Sequence, residues 1–269
     1  MPYTRMYPDS IRWSTLFTFF NHLFRFLSVL EGGFEHMSDE RDKAILKLLL
    51  KEKQVTVKQL ASQLYISEPS VRRDLARLEK QHLVKRVHGG AMIEKDALSK
   101  NKIPFAIREL EDSDAKVEIA KKAIDLIQDN DVIFLDASTS AYSLIPFLPT
   151  RKNITVVTNG VRALERLAEY DINTVSTGGN LIGSRKVLVG DTAYRTIESF
   201  NANIAFFSCR GVADDGYLTD IAPDENNVRR LMIKHSKKAY LLCASNKFGK
   251  QYYHNLCHQD DIDGILTEL

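Results

Sequence analysis

Two sets of side chains in this 269-residue chain have the types and spacing for recognition chemistry. The first is cationic: Arg72, Arg73 and Arg77 lie close to Ser67 and Ser70, and Lys85, Arg86 and His88 follow shortly after. Arginine forks onto guanine or grips phosphate, and a small residue such as Ser70 lets a helix approach base edges closely. The second set sits on short polar segments: Asp136-Ala137-Ser138-Thr139-Ser140, Thr158-Asn159-Gly160, Thr177-Gly178-Gly179 and Ser245-Asn246-Lys247-Phe248-Gly249, with Arg210 and Glu225 as further candidates. Hydroxyls and backbone N–H groups at the start of a helix suit a phosphate. Lys247 would supply a cation for that phosphate, while Asp136 and Asn159 would bond sugar hydroxyls.

The first set needs a helix held against a partner helix. Thr56 with Gln59 three residues on is a capping-box start, and Val57, Leu60, Ala61 and Leu64 then mark one helical face. Tyr65-Ile66-Ser67 is a turn. Ser67 caps the next helix, and Pro69 is tolerated in its first turn, where the missing N–H would have no intrahelical partner. Val71, Leu75 and Leu78 recur at helical spacing and point inward, leaving Ser70, Arg72, Arg73 and Arg77 off that face. The stretch from Leu83 to Ile93 alternates around His88-Gly89-Gly90 and reads as a hairpin, with Lys85, Arg86 and His88 placed to touch phosphates. This is the plan of a winged helix-turn-helix. Residues 38–95 carry 13 Lys+Arg against 8 Asp+Glu, net +5, whereas 96–269 carry 21 against 24, net −3. In a chain of net charge +2, positive charge therefore gathers on the motif that would meet DNA.

The second set needs a sheet. Residues 96–112 read as a polar linker containing Pro104. Beyond it, helical patterns (115–127, with Val117, Ala120, Ile124 and Ile127 on one face; 138–148; 161–169; 225–235) alternate with strand patterns at 131–136, 154–158, 173–176, 204–208 and 239–243. That alternation calls for an α/β domain over 113–269 with a mostly parallel sheet covered on both faces. Ligands of such sheets sit beyond the carboxyl ends of the strands, so the four polar segments are expected to converge there. Any one of them alone is a cap, a turn or a solvated charge; their recurrence at strand ends carries the expectation.

At 44% hydrophobic and 27% charged, the chain has the composition of a globular protein with room for two domains. Its three cysteines, Cys209, Cys243 and Cys257, lack the spacing of a disulfide framework or a zinc site. They read as free thiols in a reducing cytoplasm, with Cys209 the one whose neighbour, Arg210, would favour a thiolate. No metal, cofactor or catalytic group is expected. Residues 11–30 are rich in Phe and Leu, but Arg12, Asn21, His22 and Arg25 interrupt any run long enough to span a bilayer. No small-residue cleavage site follows. Residues 1–36 read as a translated leader or a disordered extension: Glu31-Gly32-Gly33 is encodable by a purine-rich ribosome-binding sequence ahead of Met37.

The chain resembles the DeoR family of bacterial transcriptional regulators. The resemblance rests on Leu60-Ala61, Ser67, Val71-Arg72-Arg73-Asp74-Leu75, Leu78-Glu79 and Arg86-Val87-His88-Gly89-Gly90-Ala91. In the second domain it rests on the 136–140 segment, Thr158-Asn159-Gly160, Gly178-Gly179, Gly190, Gly211-Val212, Gly216, Glu225 and Lys247-Phe248-Gly249. It departs from the family at Ser138, where a glycine is frequent, and at Asn203 and Ala244, where an acid is. The resemblance implies a DNA-binding domain over 38–95 and a sensor domain similar in fold to ribose-5-phosphate isomerase. The implied protein is a cytoplasmic homodimeric or homotetrameric repressor that binds double-stranded operator DNA and is released by a phosphorylated sugar. The competing reading is a sugar-phosphate isomerase-like enzyme with an accessory DNA-binding module. That enzyme needs a positioned general base and its partner acid, for which Asp136, Glu225 and Lys247 are the available types.

Overall fold

The structure is a computed structural model that describes residues 40–94 and 103–269. The reading of 1–36 as a leader, and the part of the 96–112 linker up to residue 102, lie outside the described residues. The chain divides into two units, one ending at Ile93 and one running from Glu94 to Leu269.

In the first unit a helix described over 40–52 (α1) precedes strand β1 (Gln54–Thr56), helices α2 (Val57–Gln63) and α3 (Glu68–Lys80), and strands β2 (Val84–Val87) and β3 (Gly90–Ile93). Both expected caps form. The Thr56 hydroxyl accepts from the Gln59 N–H at 3.2 Å while the Gln59 side chain accepts from the Thr56 N–H at 2.9 Å, and Ser67 accepts from the Ser70 N–H at 3.3 Å. Val71, Leu75 and Leu78 are buried, as are Ile45, Leu46, Leu49 and Leu60. The predicted hairpin is present, and β1 adds a third, antiparallel strand to it, in the order β1-β3-β2. A Cβ on Gly90 would lie 2.3 Å from the Val55 carbonyl oxygen. Only glycine allows β1 to close on β3 at that point, which fixes the hairpin against the start of α2.

The described residues of the second unit form six helices: α4 (Phe105–Leu110), α5 (Ser113–Ile124), α6 (Thr139–Tyr142), α7 (Val161–Glu169), α8 (Asp191–Glu198) and α9 (Pro223–Lys234). Its strands are β4 (Val132–Leu135), β5 (Thr155–Thr158), β6 (Asn173–Ser176), β7 (Asn180–Ile182), β8 (Val187–Val189), β9 (Ile204–Phe207), β10 (Gly211–Val212), β11 (Tyr217–Asp220), β12 (Ala239–Leu242), β13 (His254–His258) and β14 (Gly264–Leu266). Six of these form one parallel sheet in the order β14-β12-β9-β4-β5-β6. Two apolar clusters fill its two faces, one around Ile133, Leu135 and Phe206 and the other around Phe134, Phe207 and Leu241, as the alternating direction of strand side chains requires. From β4 the chain builds outward through β5 and β6, then crosses back to place β9 on the other side of β4. The strand order therefore reverses between β4 and β9, which is where such sheets bind ligands.

Several expectations are corrected here. The linker does not run to Asp112 as irregular chain: Phe105 and Ile107 are buried and the segment folds as α4. Val117, expected on the inner face of its helix with Ala120, Ile124 and Ile127, is exposed, because α5 turns Ile119 and Ala123 inward beside those three. The helix expected over 138–148 is one turn of α6 followed by a 3₁₀ segment over Ile145–Thr150, with proline near its start and Pro149 inside it. The antiparallel pair β7–β8, the three-stranded β10-β11-β13 sheet, α8 and β14 were not foreseen.

Candidate functional site

On the first unit, α3 presents Arg72 and Arg73 to solvent. Arg72 pairs with Glu68 one turn earlier at 3.0 Å, an exposed contact that a phosphate or base can displace at small cost. Arg73 donates to the Ser70 hydroxyl at 3.3 Å, and Ser70 in turn contacts the Ser67 hydroxyl at 3.0 Å. Ser67 and Ser70 thus cap the helix and aim Arg73. Lys85, Arg86 and His88 are exposed on the wing, where the Arg86 N–H donates to the Glu79 carboxylate at 3.0 Å.

Arg77 is a correction. Its guanidinium forks onto Asp42 at 2.5 and 3.0 Å and reaches Asp74 at 3.0 Å, while Arg41 forks onto the other side of Asp74 at 2.6 and 2.9 Å. The Asp74 carboxylate is buried, and these carboxylates raise the pKa of both arginines. Arg77 braces α3 on α1 and is not free for the groove.

On the second unit a cleft of about 230 Å³ opens beyond the ends of β4, β9 and β12. That is smaller than the ~300–1,000 Å³ of drug-sized sites, which favours a small polar metabolite over a nucleotide. Ser138, Thr139 and Ser140 line it from the end of β4, Ser208, Cys209 and Arg210 from the end of β9, and Asn246 and Lys247 from the end of β12. Asp220, Glu225 and Arg229 line it from β11 and α9, Arg185 from the turn between β7 and β8, and Arg108, Asp112 and Lys116 from α4 and α5.

Most of its charges fall into two groups, with Glu111, Asp112 and the exposed Lys250 also on the lining. Arg229, with a side chain only 6% exposed, donates to Asp136 at 2.8 Å, Asp220 at 3.0 Å and Glu225 at 3.1 Å. Arg185 meets Glu225 at 2.7 Å and Arg210 approaches Asp220 at 3.7 Å, so three cations balance three carboxylates. Burial opposes the charge on Arg229, but Asp220, Asp136 and Glu225 outweigh it and hold the guanidinium above its ordinary pKa. The second group is Arg108, Lys116 and Lys247, none of which has a carboxylate ion-pair partner among the described residues. The Arg108 Nε is buried without a hydrogen-bond partner, and burial is the main cause pulling its pKa down. Lys116 donates only to the Arg108 and Glu111 carbonyls. Burial and then nearby Lys247 push its amine down to about 8. Lys247 donates to the Ser208 hydroxyl and the Cys209 carbonyl, both at 2.9 Å.

Among the expected sensor residues, Ser138, Thr139, Ser140, Arg210, Glu225 and Lys247 are brought together, and the rest are not. Asp136 lies beneath the cleft, its carboxylate taken by Arg229 and by the Ser138 and Ser208 N–H groups at 3.0 and 3.3 Å. It positions the site and does not face a ligand. Asn159 is buried, with its amide nitrogen donating to the Leu188 carbonyl at 3.1 Å, and Gly178 and Gly179 pack beside Thr192, Ala193 and Val189; none of the three lines the cleft. The Ser138 hydroxyl is occupied in capping Ala141 at 3.1 Å, and α6 is too short to add much dipole, so side-chain cations carry the anion preference. The Cys243 thiol beside it and burial push the Cys209 thiol up, so the thiolate suggested by Arg210 does not arise. Arg229, Arg185, Arg108 and Lys116 were missed. Asp136 and Glu225, both held by Arg229, are poorly disposed to act as a general base.

The family model for the DeoR-like helix-turn-helix domain matches residues 41–97, and that for the DeoR C terminal sensor domain matches residues 111–269. The chain is 32% identical over 238 residues to the HTH-type transcriptional regulator FruR of Bacillus subtilis (strain 168), covering 86% of this chain and 92% of that protein. It is 31% identical over 232 residues to the L-fucose operon activator of Haemophilus influenzae, covering 85% and 91%. Among solved structures, ribose 5-phosphate isomerase A from Methanocaldococcus jannaschii aligns with a TM-score of 0.40 at 17% identity, over 51% of this chain and 55% of that one.

Proposed function

Because this chain belongs to the DeoR family and is a DNA-binding transcriptional regulator, we propose that it represses a carbohydrate operon and is released by a phosphorylated sugar. In this reading Arg72, Arg73 and the wing hold duplex operator DNA, and the metabolite binds in the cleft. One α3 covers too few base pairs for specificity, so the protein works as a homodimer or homotetramer on repeated half-sites. A fucose-operon activator among the relatives supports a sugar-linked role.

The observation that carries the sensor reading is the group of three unmatched cations, Arg108, Lys116 and Lys247, on the wall of one cleft. A cation held out of water without an anion is costly, as Lys116 and the Arg108 Nε are here, and a phosphate dianion answers that cost while the Ser138 and Ser140 hydroxyls meet its oxygens. Release follows only if the metabolite binds the released arrangement more tightly than the DNA-bound one, with ~1–3 kcal/mol of coupling typical.

The test has two stages. A thermal-shift screen of sugar phosphates should raise the melting temperature with at least one of them. An operator recovered by selection from a random duplex pool should then dissociate when that compound is added. Lys247→Ala should keep operator affinity and lose the response. A Lys247→Ala protein released at the same metabolite concentration would exclude Lys247 from the site.

A further inference from the structure

Helix α4 is too short to stand alone: isolated helices below ~12–15 residues are marginal in water. It has six residues, no side-chain cap at its start, and a left-handed residue, Asp112 at φ 52°, just beyond its end. Apolar packing of Phe105 on Tyr142 and burial of Ile107 hold one side of it. Two polar side chains hold it from the cleft side. The Lys116 amine donates to the carbonyls of Arg108 and Glu111, and the Thr139 hydroxyl donates to the same Arg108 carbonyl at 3.3 Å. The Arg108 side chain reaches back into the cleft, its guanidinium 5.7 Å from the Phe105 ring centre, with no carboxylate and a buried unpartnered Nε.

Two of the three unmatched cations therefore belong to α4, one by covalent attachment and one by gripping its backbone. We propose that Arg108 is a positioning residue: it forks onto the bound anion and so clamps α4 to the cleft. Occupancy of the cleft is thereby converted into rigidity of the first helix after the segment that leads back to the DNA-binding unit. This rests on the reading of the cleft as a phosphate site. Unlike Lys247, which is tied to the β9 end by two hydrogen bonds, the Arg108 side chain makes no hydrogen bond among the described residues, so an anion displaces none. Arginine rather than lysine suits the role because its planar fork fixes orientation as well as charge.

The test is hydrogen exchange, read by mass spectrometry, on the full chain with inorganic phosphate and glucose 6-phosphate as probes. At saturation, exchange of the 105–110 amides should slow at least about fivefold in the wild type. Arg108→Gln should bind about tenfold more weakly and, at its own saturation, show no slowing over 105–110 while the strand amides behave as in the wild type. Arg108→Lys should restore binding more than it restores slowing. Binding by the wild type without slowing over 105–110 overturns the proposal and leaves the phosphate site standing, as does full slowing in Arg108→Gln. Failure of both probes to raise the wild-type melting temperature or give a binding isotherm overturns the phosphate reading itself, and this proposal with it.

Discussion

Each unit of this protein contains a cluster of arginines and carboxylates, and the two clusters are put together in opposite ways. In the DNA-binding unit the buried charges are matched: Asp74 lies between Arg41 and Arg77, and Arg77 also holds Asp42. The other arginines of α3 stand in solvent, Arg72 in an exposed pair with Glu68 and Arg73 with no carboxylate partner among the described residues, and neither arrangement costs much there. In the sensor unit the matched cluster around Arg229 forms the floor of a cleft, and the cations left over, Arg108, Lys116 and Lys247, line its wall. Lys116 is buried and the Arg108 Nε is shielded from solvent. The first arrangement suits a polyanion met at the surface, where many exposed charges sum and salt screens them. The second suits a small anion that must be engulfed, since a cation held out of water recovers its lost hydration only from a partner of opposite charge. Whether a charge is matched thus separates scaffold from site, and where the unmatched charge sits separates the kinds of ligand.

The largest effect expected from this contrast is at Arg229. Arg229→Met takes from Asp136, Asp220 and Glu225 the cation they share, leaving Asp220 and Glu225 only Arg210 and Arg185, and breaking a buried pair in this way costs ~3–5 kcal/mol. Urea denaturation followed by circular dichroism should show it as a lower midpoint. A variant as stable as the wild type would mean that the cluster is not the structural half of the site.

Lys116 tests the unmatched half. Its amine titrates at about 8 in the folded protein against 10.5 for the free side chain. Folding therefore disfavours its charge, a penalty of ~3 kcal/mol at full protonation that applies below pH 8 and fades as pH rises from 8 to 10.5. Relative to a Lys116→Met variant, the unliganded wild type should gain stability across that interval. A bound phosphate reverses the preference, so its affinity should fall as pH rises above about 8 in the wild type and stay flat there in Lys116→Met. Isothermal titration across the range would show both. A wild-type affinity independent of pH over that interval would remove Lys116 from the site.

The smallest effect separates two arginines of one helix. Arg73→Ala should cost ~1–3 kcal/mol of operator binding and alter base preference, with thermal stability unchanged. Arg77→Ala should lower stability by ~1–3 kcal/mol, because Asp42 and Asp74 each lose one charged hydrogen-bond partner. It should leave base preference alone once the protein is folded. If the two variants exchanged phenotypes in paired anisotropy and melting experiments, the assignment of Arg77 to the brace would be wrong.

How much of this the sequence carried depends on how local each feature is. The caps at Thr56 and Ser67, the inward face of α3 and the wing hairpin are written in residues a few positions apart, and each formed. The parallel sheet was legible chiefly from four apolar runs, because a strand buried on both faces needs nearly continuous apolar residues, with the polar segment 173–176 forming its edge. Helix α4 was not, since six residues without a cap carry too little periodicity and its neighbour Pro104 reads as linker. The matched charges were invisible for a different reason. Asp136 and Arg229 are 93 positions apart, and Arg77 and Asp42 are 35 apart. A carboxylate in a strand-end loop looks the same in sequence whether it faces a ligand or an arginine beneath it. Asp136 was singled out correctly as important and given the wrong partner, while Asn159 and the Gly178-Gly179 pair were strand-end residues serving packing.

The reversal of strand order that creates the cleft also sets a clock. Strand β4 pairs with β9 and through it with β12, so the sensor sheet cannot close until most of the chain exists, whereas every strand of the DNA-binding unit lies before Glu94. Units with distant pairings form late, and chains are made at ~5–20 residues per second. Roughly 8–30 s at those rates separate the emergence of a finished DNA reader from that of Lys247. On the proposed reading, each nascent chain during that interval carries a folded reading unit without a completed metabolite cleft.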